Sequence, residues 1–325
     1  MARLSYGERK QRKKEKKKAR EERQKTRLSN MLLTEADIKD MTLQQKIWIY
    51  ARTFLLAGCP FLLFMVMPAI CIAVGRVLLY ATVYKNQAES VSDALNFYTF
   101  CGICLTLYIL YRVAKKRDSS IWKETGLDVR NIDFRLLGGL FGFGFLFSVF
   151  VSSLLTMIPD SWMTGYDEIA DAVYAGYDTL FSIICVSFLS PFAEEIVFRG
   201  YMMKRLLPLF KEKKTLWIVS AVFALCHLSP AWIVYGLFLG LVMGVVVLKH
   251  GNLAYSLAVH IGFNLFSVLN FIIMKFPSVS DKIYGSKPLI LLYGLLAGGA
   301  AYLLFRIYTK RYPGNFDKTN LSKEN

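Results

Sequence analysis

Two adjacent carboxylates, Glu194 and Glu195, are followed by Arg199 at the end of a long apolar run. An ionisable group at the centre of a membrane helix costs roughly 2.5 to 3.5 kcal/mol on insertion scales, so three within six residues require a compensating role. Later apolar runs add His227, in Phe223-Ala-Leu-Cys-His227, and the pair His260 and Asn264, in His260-Ile-Gly-Phe-Asn264. Residues four apart share a helix face, so Glu195 can pair with Arg199, and His260 and Asn264 point the same way. Glu194 projects about 100° away from Glu195, which leaves one carboxylate for the arginine and one for chemistry. The chemistry that suits this set is addition of water to a peptide carbonyl. Glu194 and His227 fit the removal of a proton from water, and His260 and Asn264 fit the donors that hold a developing oxyanion. Glu195 and Arg199 are then supporting residues. A buried polar network that only ties helices together is the plainer alternative, but six such side chains in three successive apolar stretches favour a site.

The surrounding composition says what positions them. Of 325 residues 54% are hydrophobic and the mean hydropathy is +0.37, too apolar for a soluble domain of this length. The pattern is that of an all-α polytopic membrane protein. Apolar runs near 53–75, 96–113, 136–158, 179–199, 215–228, 231–249, 253–275 and 288–307 predict about eight transmembrane helices. The expected organisation is a basic cytoplasmic tail and interfacial segment over 1–46, a membrane domain over 47–310 with its chemical core at about 179–275, and a polar tail over 311–325. Thr42-Leu43-Gln44-Gln45 has capping-box spacing and predicts a helix start that runs into the first span. The depth of the site depends on the fourth span. If that helix stopped at Gly200, the glutamates would lie about 12 Å nearer the cytosolic face than His227, so it is expected to continue towards Leu207, bringing Glu194 nearer mid-membrane.

Charge fixes a topology. Residues 1–30 hold thirteen Lys and Arg against four Glu, and the loop after the second span carries Lys115, Lys116, Arg117, Lys123, Arg130 and Arg135. The loop after the third span holds Asp160, Asp167, Glu168, Asp171 and Asp178 with no Lys or Arg. This alternation places both termini in the cytoplasm, with the short 276–287 loop as the exception. The tail is expected to meet anionic lipid, at about 1 kcal/mol per basic residue near the surface. It is not expected to be a cleavable signal peptide, because the first apolar run starts only near Ile47 and is too long for one. The formal charge of +16 is not read as nucleic-acid binding, since the basic residues cluster in the tail and loops.

Other motifs reduce to packing. All six cysteines fall inside apolar runs, so Cys101-Gly-Ile-Cys104 is read as small hydrophobes rather than a redox or zinc pair. Gly236, Gly240 and Gly244 in one span, and Gly138 and Gly142 in another, predict faces where helices approach closely. The 138–144 glycine cluster lacks the Gly-Lys-Ser/Thr ending of a phosphate loop. His250 precedes Gly251 at an expected helix C-terminus.

Glu194-Glu195-x-x-x-Arg199, Phe223-x-x-x-His227 and His260-x-x-x-Asn264, in this order along the later spans, resemble the motifs of the CAAX protease and bacteriocin-processing (ABI) family of intramembrane glutamic proteases. The resemblance covers roughly 179–275. It implies an eight-helix fold with a membrane-embedded catalytic cavity, and an endopeptidase in which Glu194 and His227 activate water while His260 and Asn264 form the oxyanion hole. No cofactor or metal is implied, and the partner is a peptide or membrane-associated protein substrate, lipidated or not. A zinc-dependent protease is one competing reading, but the compact His-Glu-x-x-His helix is absent, and His260 with Asn264 suits hydrogen bonding better than ligation. A non-catalytic scaffold that binds an immunity or cell-wall partner is another, and a transporter a third, although no internal repeat supports it. The expected location is a bacterial plasma membrane.

Overall fold

The computed structural model describes the backbone of residues 41–82, 90–159, 183–227 and 229–311. The basic tail, the acidic residues after the third span, the start of the fourth span and the C-terminal tail lie outside the described residues, and so do the expectations placed on them. Within them the chain is all-helical. In order come α1 (Leu43–Thr82), α2 (Ser90–Lys116), the short α3 (Ile121–Thr125), α4 (Phe134–Leu155), a composite α5 (185–206), α6 (Glu212–Leu225), α7 (Pro230–His250), α8 (Leu253–Met274), α9 (Pro277–Tyr284) and α10 (Lys287–Arg311).

Among the described residues six helices, α1, α2, α4, α7, α8 and α10, are long and apolar enough to cross a membrane. Their outward faces carry large apolar side chains, such as Leu295, Leu296 and Leu303 on α10, which only lipid can shield. The protein is therefore a multi-pass membrane protein. The expected count of eight is not confirmed among the described residues: the start of the fourth predicted span lies outside them, and the rest of that stretch carries Glu194, Glu195, Arg199, Lys204 and Arg205. The 14-residue α6 is about 21 Å long, short of a ~30 Å hydrocarbon core, and ends in a turn before Pro230 opens α7.

Local signals explain the helix ends. The backbone N–H of Thr42 donates to Gln45 Oε1 at 2.9 Å and the Gln45 N–H to Thr42 Oγ1 at 3.4 Å, so the capping box does start α1. Helix α7 stops at His250, where Gly251 takes the left-handed conformation at φ 70°. Asn252 caps α8 through the Ala254 N–H at 3.0 Å and also clamps the α3–α4 loop, donating to the Asp128 carbonyl at 2.7 Å. The N-terminus of α8 is thereby fixed to the segment that precedes α4.

Helix α8 lies against α4, and α10 covers the same helix from another side. Contact between α4 and α8 depends on glycine: a methyl on Gly144 would run into the Val259 carbonyl, and one on Gly262 into the Phe141 carbonyl. Next to this crossing Ser148 and Ser267 share a hydrogen bond of 3.0 Å. The α6–α7 hairpin is packed through the expected stripe, with Gly236, Gly240 and Gly244 facing Ala224, Ser220 and Leu216. The second predicted glycine face is corrected: Gly138 meets nothing within 4 Å and Gly142 only the end of Leu304, so the close approach is at Gly144. Gly262→Ala is expected to destabilise the protein by about 1–3 kcal/mol through overpacking, whereas Gly138→Ala is expected to be tolerated. Thermal melting of the two variants in the same detergent checks this.

All six cysteines are free, in keeping with packing roles. The α5 composite is central to the core: every residue from Glu195 to Met203 is buried. Phe198 meets Phe61 and Phe64 of α1 on one side and Phe223 of α6 on the other. Thr125 of α3 packs so tightly on Gly200 that a side chain there would have no room.

Candidate active site

Helix α5 presents the acidic residues from a backbone that alternates between two helical registers. A π-helical turn spans Cys185–Leu189, an α-helical segment Ser190–Glu195, a second π-helical stretch Ile196–Met203, and a last α-turn Lys204–Leu206. There is no break at Gly200, as the depth argument required. Glu194 thus sits near the middle of the helical stretch, with about 18 Å of helix on its C-terminal side. Wide π turns recur at functional sites because they displace side chains from the α-helical wheel.

Glu195 and Arg199 meet as their spacing foretold, Arg199 Nη1 donating to Glu195 Oε1 at 2.7 Å with both side chains fully buried. Two more donors complete the carboxylate's shell. Ser256 Oγ donates to Oε2 at 2.7 Å, and His260 Nδ1 lies 3.1 Å from Oε1. The guanidinium also reaches the Gly240 carbonyl at 3.4 Å and lies over the Phe223 ring at 4.3 Å from its centroid. A buried ion pair is costly unless its remaining polar atoms are satisfied; here α7 and α8 supply partners for both carboxylate oxygens and for Nη2, while Arg199 Nε is buried with no hydrogen-bond partner.

Glu194 has a different environment. Its side chain is 17% exposed, and the ion-pair distance it makes is 3.6 Å, from Oε2 to His260 Nε2. The imidazole of His260 therefore stands between the two carboxylates, Nδ1 towards Glu195 and Nε2 towards Glu194. Since Glu195 is held by Arg199, its oxygens act as acceptors, and Nδ1 is the nitrogen that carries hydrogen towards it.

His227 lies in the turn after α6, partly exposed. Its Nδ1 is 2.9 Å from the Phe223 carbonyl, which can only accept, so Nδ1 carries a proton and Nε2 is the nitrogen that holds the lone pair in the neutral ring. No hydrogen bond or ion pair joins His227 to Glu194. They are linked through aromatic and histidine intermediaries. The Phe223 ring meets His227 edge-on at 5.0 Å and His260 at 5.7 Å. Asn264, one turn beyond His260, donates from Nδ2 to the Val186 carbonyl of α5 at 3.1 Å.

The structure thus brings Glu194, Glu195, Arg199 and His260 into direct contact, with His227 one aromatic ring away and Asn264 one helical turn along. Two participants escaped the sequence reading. Ser256 was recoverable, because Ser256, His260 and Asn264 recur every four residues on one face of α8. Phe223, on which Arg199 and both histidines converge, stood in the motif, but its ring had no visible partner in one dimension. Among the described residues no three His, Cys, Asp or Glu side chains group as metal ligands would.

Comparison with known proteins converges on the same stretch. Residues 176–266 match the family model described as type II CAAX prenyl endopeptidase Rce1-like. Neither the curated proteins nor the solved structures compared with the chain give a match. The matched segment contains Glu194, Glu195, Arg199, Phe223, His227, Ser256, His260 and Asn264. Over residues 176–266, therefore, this membrane protein is similar to the CAAX prenyl endopeptidase family.

Proposed function

We propose that this protein is a glutamic intramembrane endopeptidase that hydrolyses a peptide bond of a lipidated or membrane-associated polypeptide. The supporting observation is the unequal treatment of two adjacent carboxylates. Glu195 is saturated by Arg199, Ser256 and His260, while Glu194 keeps a partly open face and a long contact to His260.

In this reading Glu194 takes a proton from water as the oxygen adds to the scissile carbonyl. His227, with Nε2 unprotonated, orients that water and relays the proton to the leaving amine. His260, anchored at Nδ1 by Glu195, turns Nε2 to the site and, protonated there, donates to the oxyanion. Asn264 supplies the second donor from the amide hydrogen that Val186 does not use. The endopeptidase cuts on the cytoplasmic side of a plasma membrane, and its basic tail meets anionic lipid there.

The test is cleavage of lipidated and unlipidated peptide libraries by the purified protein, with and without a strong chelator, beside His227→Ala. Expected is cleavage that survives chelation and falls about 10²- to 10⁴-fold in the variant. Loss of activity on chelation, restored by zinc, would support the metal-dependent reading instead. No cleavage by the wild type together with retained partner capture would support the scaffold.

A further inference from the structure

Asn264 owes its orientation to a carbonyl that a helix should not have free. In the π-helical turn Cys185–Leu189 each carbonyl looks five residues ahead, and the Ser190 N–H accordingly bonds to the Cys185 carbonyl. The next carbonyl in that register, Val186, looks to residue 191. That residue is proline, which has no N–H to give. In a membrane an unpaired carbonyl must find a donor from a neighbouring helix, and the Val186 oxygen finds Asn264 Nδ2 of α8 at 3.1 Å. Because a carbonyl only accepts, this contact also settles which end of the amide is nitrogen.

We infer that Pro191 is a positioning residue for Asn264: by withholding an N–H it keeps the Val186 carbonyl available, and that carbonyl holds the asparagine amide with its second N–H turned to the reacting carbonyl. The inference rests on the oxyanion role proposed for Asn264. Pro191 is buried and three residues before Glu194, so one helical turn delivers the base and fixes the orientation of a donor on another helix. The asparagine amide has two hydrogens, and using one as an anchor restricts rotation about its last torsion angle. Preorganised donors are the ones that stabilise an oxyanion without reorganisation at the moment of reaction.

The experiment is a double-mutant cycle of Pro191→Ala and Asn264→Ala on the full-length protein, with kcat, KM and melting temperature measured for each. Alanine restores the N–H and lets the Val186 carbonyl close within α5. Asn264→Ala is expected to lower kcat by about 10²- to 10³-fold, and Pro191→Ala by roughly tenfold with KM unchanged. The double variant is expected to be no slower than Asn264→Ala, whereas independent structural damage would multiply the two losses. Full activity in Pro191→Ala, or multiplicative losses, overturns the inference and leaves the role of Asn264 standing. Full activity in Asn264→Ala overturns both. Should Pro191→Ala not fold, the side-chain amide of Asn264 in the wild type decides by NMR: one Nδ2 hydrogen protected from exchange is expected, and two hydrogens exchanging like an exposed amide overturn the inference.

Discussion

Glu194→Gln is expected to reduce kcat about 10²- to 10⁴-fold while leaving the protein folded. The amide keeps the size and one acceptor of the side chain but cannot take a proton from water. Little stability is at stake, since the ion-pair distance of Glu194 is a 3.6 Å approach to His260 from a partly exposed position. The expected signature is therefore an unchanged melting curve with almost no cleavage, read from the same preparation by calorimetry or dye-reported unfolding and by product mass spectrometry. Activity within twofold of wild type would remove Glu194 from the chemistry.

Arg199→Met is expected to fail in the opposite way. It strips the fully buried Glu195 of its 2.7 Å partner, empties the face of Phe223 and frees the Gly240 carbonyl, so three helices lose a shared contact. Breaking a buried pair by removing one member costs about 3–5 kcal/mol, mainly because the remaining charge is left in a low-dielectric interior. Ser256 and His260 still donate to Glu195 and place the expected loss towards the lower end of that range. Unfolding in detergent or bicelles measures it, and an Arg199→Met protein as stable as wild type would mean that the pair contributes nothing to the fold. Two neighbouring glutamates thus give two separable phenotypes, kinetic at Glu194 and structural around Glu195.

Much of this site was legible in one dimension because helices repeat. Spacing of four put Glu195 with Arg199 and His260 with Asn264, and the cost of charge in lipid marked all of them as special. Crossings between helices were not legible. That His260 stands between the two glutamates depends on how α8 is translated against α5, a contact between residues 65 positions apart in the chain. Hydropathy did not show where α6 ends: the helix stops at Leu225, and the stop leaves His227 in a turn beside the cluster. The first π turn of α5 had one visible signal, a proline inside an apolar helix; the second, Ile196–Met203, contains none. Gly138 and Gly144 lie on one helix at different azimuths and about 9 Å apart in height, so which of them met a backbone could not be read from spacing.

The most direct measurement is cleavage of a peptide substrate in ¹⁸O-labelled water with hydroxylamine present, wild type beside Glu194→Gln. Expected is a wild-type product whose new carboxylate carries one ¹⁸O and forms no hydroxamate, with essentially no product from the variant. Equal release by the two proteins, or a hydroxamate product that betrays an acyl-enzyme, would contradict hydrolysis by glutamate-activated water.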